Sequence, residues 1–328
     1  MARVVVTGGC GFVGSHLVDH LLRRGDEITV FDTGRPAADQ PHTRADVRHV
    51  SGDIRDPDAL AAVITPGVDT VYHLAAVVGV DRYLHRPMDV IDVNFSGTRA
   101  VLDLSTRAGA KVVFASTSEV FGKNPAVPWD EEADRVLGTT SANRWSYSTS
   151  KALAEHMTFA FIRQHGLTAS IVRYFNLYGP RQRPAFLVSR SVHRALNGRP
   201  PIVYDDGLQT RSFTYIDDAI SATVAIGASE RADGESFNVG GTQEIPIRHV
   251  VELIMKLTEL EGGFTRIVTK ERFGDVYQDL VRRVPDTTKA FDLLGWKCAT
   301  DLQQGIARTV DWARGARWWR ELPDGSPD

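Results

Sequence analysis

The chain has 328 residues, 42% of them apolar and 24% charged, and a formal net charge of −3 from 38 basic and 41 acidic side chains. That length suits one large or two modest domains, and the slight acidity gives no basic footprint for nucleic acid. Only two cysteines occur, Cys10 and Cys298, and there is neither a charged leader with an apolar stretch behind it nor an apolar run of membrane-spanning length; the reading is a cytoplasmic protein without a disulfide framework or a membrane partner.

Residues 3–7, RVVVT, form a continuous β-branched run, as expected of a strand buried on both faces of a parallel sheet. Phe12, Val13, Leu17, Val18, Leu21 and Leu22 then recur at helical spacing, and Gly25 ends that helix. Further strands are predicted at 28–31, 47–50, 70–73, 111–115 and 169–173, with helical patterns between most of them and a long one over 146–163. Strand and helix alternating in this way predict an α/β fold, a doubly wound parallel sheet with helices on both faces. From about Tyr178 the pattern changes. Pro180, Arg181, Arg183 and Pro184 open a loop-rich stretch before a helix over 188–196. Residues 214–226 and 237–240 are expected to return to the sheet, and the helices 247–260 and 301–312 to build a smaller C-terminal lobe. The expected division is a nucleotide-binding domain over 1–178, with a return segment near 214–240, and a substrate lobe over 179–213 and 241–328. The tail 323–328 reads as frayed. Trp318 and Trp319 before it read as packing against the body, with a partner surface as the second reading.

The first turn carries Gly8, Gly11 and Gly14 in a GxxGxxG spacing between a strand and a helix. Glycine lets the backbone turn tightly and lets a pyrophosphate approach the amides, and the helix N-terminus adds partial positive charge. Asp32 closes the second strand, where a carboxylate accepts hydrogen bonds from the adenosine ribose hydroxyls and repels a 2′-phosphate. Together these features predict a Rossmann domain that binds NAD rather than NADP; Arg35, three residues on, softens that preference. Asp53, in Gly52-Asp53-Ile54 after the third strand, is either an adenine contact or a simple turn aspartate. Cys10 reads as a small residue tolerated in the loop.

Tyr147 and Lys151 are four apart at the start of the long helical pattern, hence on one face. A free phenol, with a pKa near ~10, is a poor base at neutral pH, and each unit of lowering needs ~1.4 kcal/mol of differential stabilisation. A neighbouring ammonium and a positively charged nicotinamide are expected to supply it. An i,i+4 surface pair is the plain alternative.

With these residues in view, the chain resembles the extended short-chain dehydrogenase/reductase family over nearly its whole length, and within it the nucleotide-sugar branch. The matching residues are the Gly8–Gly14 turn, Asp32, His73-Leu74-Ala75-Ala76, Asn94, Ser116-Thr117-Ser118-Glu119-Val120-Phe121-Gly122, Tyr147 with Lys151, Arg173-Tyr174-Phe175-Asn176, Tyr178-Gly179-Pro180-Arg181, Gln209-Thr210-Arg211-Ser212-Phe213 and Arg283-Val284-Pro285-Asp286. The resemblance implies NAD contacts from Gly8, Gly11, Phe12, Val13, Gly14, Asp32, Asp53, Ile54, Ala75, Asn94, Tyr147 and Lys151. It implies that Thr117 hydrogen-bonds the sugar 4′-hydroxyl, that Tyr147 is the base, and that Lys151 holds the nicotinamide ribose and the tyrosine pKa. Asn176, Arg211 and Arg283 would grip the diphosphate, two planar guanidiniums matching phosphate oxygens. A homodimer through the helices around residues 90–108 and 146–163 is implied as well.

Members of this branch first oxidise C4′, and three fates then compete. Dehydration uses an Asp-Glu pair after the threonine; here the pair is Ser118-Glu119, so this fate ranks lowest. Epimerisation at C4′ needs only rotation and hydride return, and makes no demand for Glu119. Decarboxylation needs a 6-carboxylate, which the 4-keto group turns into a β-keto acid, with the resulting oxygen anion stabilised by Tyr147 and Thr117. Residues 117–122 are similar to those of UDP-glucuronic acid decarboxylases. Tyr277-Gln278-Asp279 with Arg283 is similar to the arginine segment of the decarboxylases of aminoarabinose lipid modification, as is Arg144-Trp145. By that resemblance Glu119 orients the sugar or a water, and Arg283 protonates C5 or binds the carboxylate or diphosphate. Arg144 is a carboxylate contact or a solvated loop arginine, and Tyr83 a sugar-pocket residue. Phe121 replaces the usual tyrosine, Tyr147-Ser148-Thr149-Ser150-Lys151 differs from YDEGK, and the Arg190 region lacks the usual asparagine, so a 4-epimerase stays the alternative. A glutamate beside a substrate carboxylate is expected to repel it until carbon dioxide leaves. A catalytically dead NAD sensor is the remote third reading, against which Thr117, Tyr147 and Lys151 speak together. The ten histidines form no ligand spacing, so no metal is expected.

Overall fold

A computed structural model describes residues 1–34, 46–273 and 280–325. Six strands, β1 (Arg3–Thr7), β2 (Glu27–Asp32), β3 (Val47–Ser51), β4 (Thr70–His73), β5 (Lys111–Thr117) and β6 (Ala169–Tyr174), join a seventh, Ser236–Val239, in one sheet. All pairings are parallel, and the order across the sheet is Ser236–Val239, β6, β5, β4, β1, β2, β3. Each strand has side chains on alternate faces. Val4 and Val6 therefore enter one core with Leu17, Val18 and Leu21, while Val5 enters the other with Phe31, Val71, Val112 and Phe114. Burial on both sides is why these strands are runs of Val, Ile and Phe. The order reverses between β4 and β1, and in open α/β sheets ligands bind at that crevice, outside the strand C-termini.

Helix α1 (Phe12–Arg24) ends where Gly25 turns left-handed at φ 84°, as its sequence predicts. The long helix spans Arg144–His165, so it begins before the predicted 146 and takes Arg144 into its first turn. Between β4 and β5 the chain passes through a π-turn, Val93–Gly97, before the helix Thr98–Ala108.

Two expectations are corrected. Residues 214–226 do not rejoin the main sheet. Thr214–Tyr215 pairs with Leu177–Tyr178 in a separate two-stranded ribbon, and Ile216–Ala228 is a helix packed beside α1; of the two expected returns, only Ser236–Val239 joins β6. The tail is not frayed at Asp324, whose carboxylate accepts from Arg190 at 2.8 Å and from Arg194, while Gly325 N–H donates to the Pro184 carbonyl at 3.1 Å; residues 326–328 lie outside the described part. Trp319 packs inward, its indole N–H donating to the Gln182 carbonyl at 2.7 Å and its ring edge-on to Trp312. Among the described residues no helix is long and apolar enough to cross a membrane.

Candidate functional site

At the crevice, the β1–α1 turn is shaped by its glycines. Gly8 has φ 74°, and a Cβ there would sit 2.7 Å from the Ala75 amide nitrogen; a Cβ on Gly14 would collide with the Gly8 carbonyl oxygen. Gly11 caps α1 without a side-chain bond, and no acidic residue stands in the first turn, where Phe12 and Val13 are half-buried. The first amides of α1 thus keep their donors for an anion. Asp32 accepts from Cys10 N–H at 2.9 Å and Gly34 N–H at 2.8 Å, which fixes the turn and leaves lone pairs for ribose hydroxyls. Burial, with Asp32 beside it, pushes the Cys10 thiol up to about 12, consistent with an inert loop residue. These features fit a dinucleotide. Asp53 is engaged by Arg55, whose Nη2 donates at 2.7 Å, a geometry that suits the turn reading; Ile54 is buried against Gly97. Arg35 lies outside the described residues.

His73, in the motif His73-Leu74-Ala75-Ala76, has no role legible from the sequence. It is fully buried beneath the site. The Thr98 hydroxyl donates to the Asn94 carbonyl at 2.6 Å, so it must accept from His73 Nε2–H, 3.0 Å away. His73 Nδ1 is then an acceptor, and the Thr7 hydroxyl donates to it at 2.7 Å while accepting from Ala75 N–H at 3.3 Å. Each hydroxyl donates once, and the network assigns the tautomer. Burial, followed by the Lys151 charge, holds this imidazole down at about 3, neutral at any working pH. Asn94 continues the chain: its side-chain oxygen accepts from Val77 N–H and its amide donates to Ser150 Oγ, both at 3.1 Å, and Ser150 donates to the Tyr147 carbonyl at 2.9 Å. A hydrogen-bonded line therefore runs from Ala75 to the backbone of Tyr147.

Tyr147, Lys151 and Thr117 converge above it. The Tyr147 phenol is hydrogen-bonded to the Thr117 side chain, and Thr117 also accepts from Glu119 N–H at 3.2 Å. Lys151 donates to the Ala115 carbonyl at 2.8 Å and stands 4.8 Å over the Phe114 ring. Burial draws its ammonium down to about 7, with the Glu155 charge opposing. The phenol differs from expectation. Burial, then the Glu119 charge, holds Tyr147 well above the ordinary phenol range, with Thr117 and Arg283 pulling the other way. The chain's own groups keep Tyr147 protonated at neutral pH, so the lowering expected of it falls to the cofactor's positive charge.

Glu119 lies between two guanidiniums. Arg144, 2% exposed at the start of its helix, donates to one oxygen, and Arg283 donates to the other at 3.0 Å. Burial disfavours the carboxylate, but Arg144 and Arg283 outweigh it and hold Glu119 at about 2. Arg144 is therefore no solvated loop residue. Its guanidinium lies 5.3 Å from the ring centroids of both Tyr83 and Trp145, and Tyr83 packs with Tyr147. Arg283 reaches Ser118 Oγ at 3.4 Å, while its buried Nε has no partner among the described residues. The expected repulsion between Glu119 and a substrate carboxylate is thus largely cancelled in advance. Tyr277-Gln278-Asp279 lie outside the described residues.

The diphosphate candidates stand on neighbouring loops. Asn176 holds a left-handed φ of 38° and donates to the Ser212 carbonyl at 2.8 Å, a backbone conformation that structures keep at functional positions. Arg211 is buried and donates to the Thr210 carbonyl at 2.8 Å. Ser212 N–H bonds the Arg283 carbonyl at 3.1 Å, which brings the Arg211 and Arg283 segments side by side.

Comparison with known proteins gives matching results. Residues 4–240 match the NAD dependent epimerase/dehydratase family. The chain is 35% identical over 317 residues to a UDP-N-acetyl-alpha-D-glucosaminuronate decarboxylase of Bacillus cytotoxicus, covering 95% of this chain and 98% of that protein. It is 33% identical over 317 residues to UDP-glucuronic acid decarboxylase 1 of Xenopus tropicalis, covering 95% and 72%. The structure of MoeE5 in complex with UDP-glucuronic acid and NAD superposes with a TM-score of 0.83 at 28% identity, covering 96% of this chain and all of that one.

Proposed function

The chain belongs to the NAD dependent epimerase/dehydratase family, and we propose that within it the protein is a decarboxylase of a nucleotide-linked uronic acid. It converts UDP-glucuronic acid to the UDP-pentose, xylose by the resemblance, or releases the 4-keto pentose on the way. The observation that carries this reading is the Arg144–Glu119–Arg283 group. Two cations on one carboxylate leave a surplus positive charge in a buried place beside the Tyr147–Thr117 pair. A buried unmatched charge is costly; a neutral hexose leaves it unmatched, and a 6-carboxylate completes it.

The glycine turn and Asp32 would hold NAD, which would supply the hydride acceptor for oxidation at C4′ and the donor for its reversal. Thr117 and Tyr147 meet the 4′-hydroxyl, whose proton Tyr147 removes. The C5–C6 bond of the 4-keto acid then breaks, its electron pair passes to the C4′ oxygen, and carbon dioxide leaves; the resulting enol takes up a solvent proton at C5, which restores the C4′ ketone for reduction to the pentose. Tyr147 and Thr117 donate to that oxygen. Arg144 and Arg283 orient the carboxylate before it departs, and Glu119 fixes both guanidiniums. Asn176 and Arg211 hold the diphosphate. We assign the protein to the cytoplasm, supported by its two free thiols, and to a homodimer, supported by the exposed Met88, Ile91 and Leu153 on the helices around residues 87–92 and 144–165.

The test is to incubate the purified protein with UDP-glucuronic acid and, separately, with its 2-acetamido counterpart, the uronic acid of the Bacillus relative's name, and to weigh the products. Loss of the mass of carbon dioxide from either supports the reading, and the pair tells which C2 substituent is accepted. A new isomer of unchanged mass selects the 4-epimerase instead.

A further inference from the structure

Tyr147, Lys151 and Glu155 are spaced four apart and share one face of the helix Arg144–His165. Consecutive residues of β5 meet all three. The Ala115 carbonyl accepts from Lys151 at 2.8 Å, the Ser116 hydroxyl donates to Glu155, and the Thr117 side chain bonds Tyr147. Glu155 is buried, and so is its partner Arg173, which grips it with Nε at 3.0 Å and Nη2 at 2.6 Å. The third guanidinium nitrogen of Arg173 donates to the Glu131 carbonyl at 2.6 Å, and the group lies 5.1 Å from the Phe121 ring centroid. None of these atoms is part of the carboxylate-binding group at Glu119.

We propose that Glu155 is a positioning residue for the hydride-transfer pair: clamped by Arg173 and Ser116, its carboxylate is the counter-charge that keeps Lys151 an ammonium one turn above it. The inference rests on Tyr147 and Lys151 acting as that pair, which decarboxylation and epimerisation both require.

The groups facing Lys151 leave few alternatives. From β4, His73 is locked neutral. From β5, Phe114 offers a ring face and Ala115 a carbonyl, neither of which titrates. Asn94 and Ser150 are neutral. From its own helix come Tyr147 and Glu155. Glu119 and Arg283 act on Tyr147, and Arg173 is held on the Glu155 carboxylate. Among the charges, Glu155 is the one that opposes the burial of Lys151. The clamp also explains why the residue is glutamate bound to arginine. An unpaired buried carboxylate would take up a proton and lose the charge; paired, it keeps the charge and presents it to Lys151.

Such a device makes the Lys151 midpoint depend on both halves of the clamp. The test follows the titration of Lys151 in the NAD-loaded full chain by the NMR shift of its 13C-labelled ε-carbon, assigned by its loss in Lys151→Arg. Glu155→Gln removes the negative end, and the Lys151 midpoint should fall by about one pH unit, a tenfold loss of proton affinity. Arg173→Gln leaves Glu155 unpaired, so that it takes up a proton and loses its charge, and the midpoint should fall as well, whereas Arg173→Lys keeps the pair and should hold the midpoint near wild type. The alkaline limb of kcat/KM should move the same way in each variant. A purely structural pair would lower stability in both variants and leave the Lys151 midpoint where it is, so an unmoved or raised midpoint in Glu155→Gln overturns the proposal. Where a single variant does not fold, the double variant Glu155→Gln with Arg173→Gln has no unpaired charge; its midpoint should fall below wild type, and an unmoved or raised one overturns the proposal. The titration needs no turnover, so a protein that fails to release carbon dioxide refutes the decarboxylase reading without touching this result.

Discussion

Removing Glu119 would leave Arg144 and Arg283 as two facing cations in a buried place. Breaking such a group costs about 3–5 kcal/mol, so Glu119→Gln should lower the melting temperature at neutral pH. The pH dependence has a definite sign. Glu119 is held below its ordinary range, at about 2, so its contribution is complete above the unfolded value of about 4.3 and is lost as pH falls from there towards the folded value. The melting gap between wild type and variant should stay constant from neutral pH down to about 5 and shrink below that. Carbon dioxide release should fall by roughly a hundredfold or more, the scale of losing an oriented charged group, with NAD affinity unchanged by titration calorimetry. A parallel loss of both would mean that the glutamate holds the fold and not the sugar. Glu119 was legible as a candidate from the residues around it. Its state was not, because its partners stand 25 and 164 positions away, and only the fold brings them together. The same distance hid the acidity of Tyr147: spacing shows the nearby lysine but not the burial that outweighs it.

The π-turn Val93–Gly97 and the strand ends around it set where these side chains sit. Thr98 is its hinge, donating to the Asn94 carbonyl and accepting from His73. Thr98→Val keeps the shape and removes both bonds, leaving a buried imidazole N–H unsatisfied. It should cost about 1–3 kcal/mol for the group left without a partner, read by urea unfolding, and slow turnover by loosening Asn94 and, through Ser150, Tyr147. Thr98→Ser keeps the hydroxyl and should recover most of both; a serine variant no better than valine would remove the strut from the account. Elements were readable in proportion to how strictly their pattern followed one environment. The strand β1 carries the unbroken run Val4–Val6, and β2 and β4 centre on Ile28–Phe31 and Val71–Tyr72. β5 continues two residues past its predicted end because Ser116 and Thr117 are polar at the end of the strand that faces the site. The helix Ile216–Ala228 was misread because it is apolar on nearly all sides and rich in β-branched residues, and periodicity does not separate a buried helix from a buried strand.

Taken whole, the molecule leaves Met88, Ile91 and Leu153 exposed on and beside the helix Arg144–His165. A homodimer through this face should sediment at twice the chain mass, and Leu153→Arg should shift it to the monomer; wild-type protein that runs as a monomer at micromolar concentration would contradict the assignment. At the other end, Asp324 anchors the tail on Arg190 and Arg194. Deleting 323–328 should therefore lower the melting temperature by more than loss of a loose end would, and an unchanged melt would count against that anchor. The central claim is that the carboxylate seated on Arg144 and Arg283 is lost as carbon dioxide after oxidation at C4′. Its most direct test is turnover of UDP-[6-13C]glucuronic acid in deuterium oxide by the NAD-loaded protein, with gas and product analysed together. The account predicts labelled carbon dioxide and a UDP-pentose that carries one solvent deuterium at C5. Recovery of a labelled hexuronic acid isomer, with no gas and no deuterium, would contradict it.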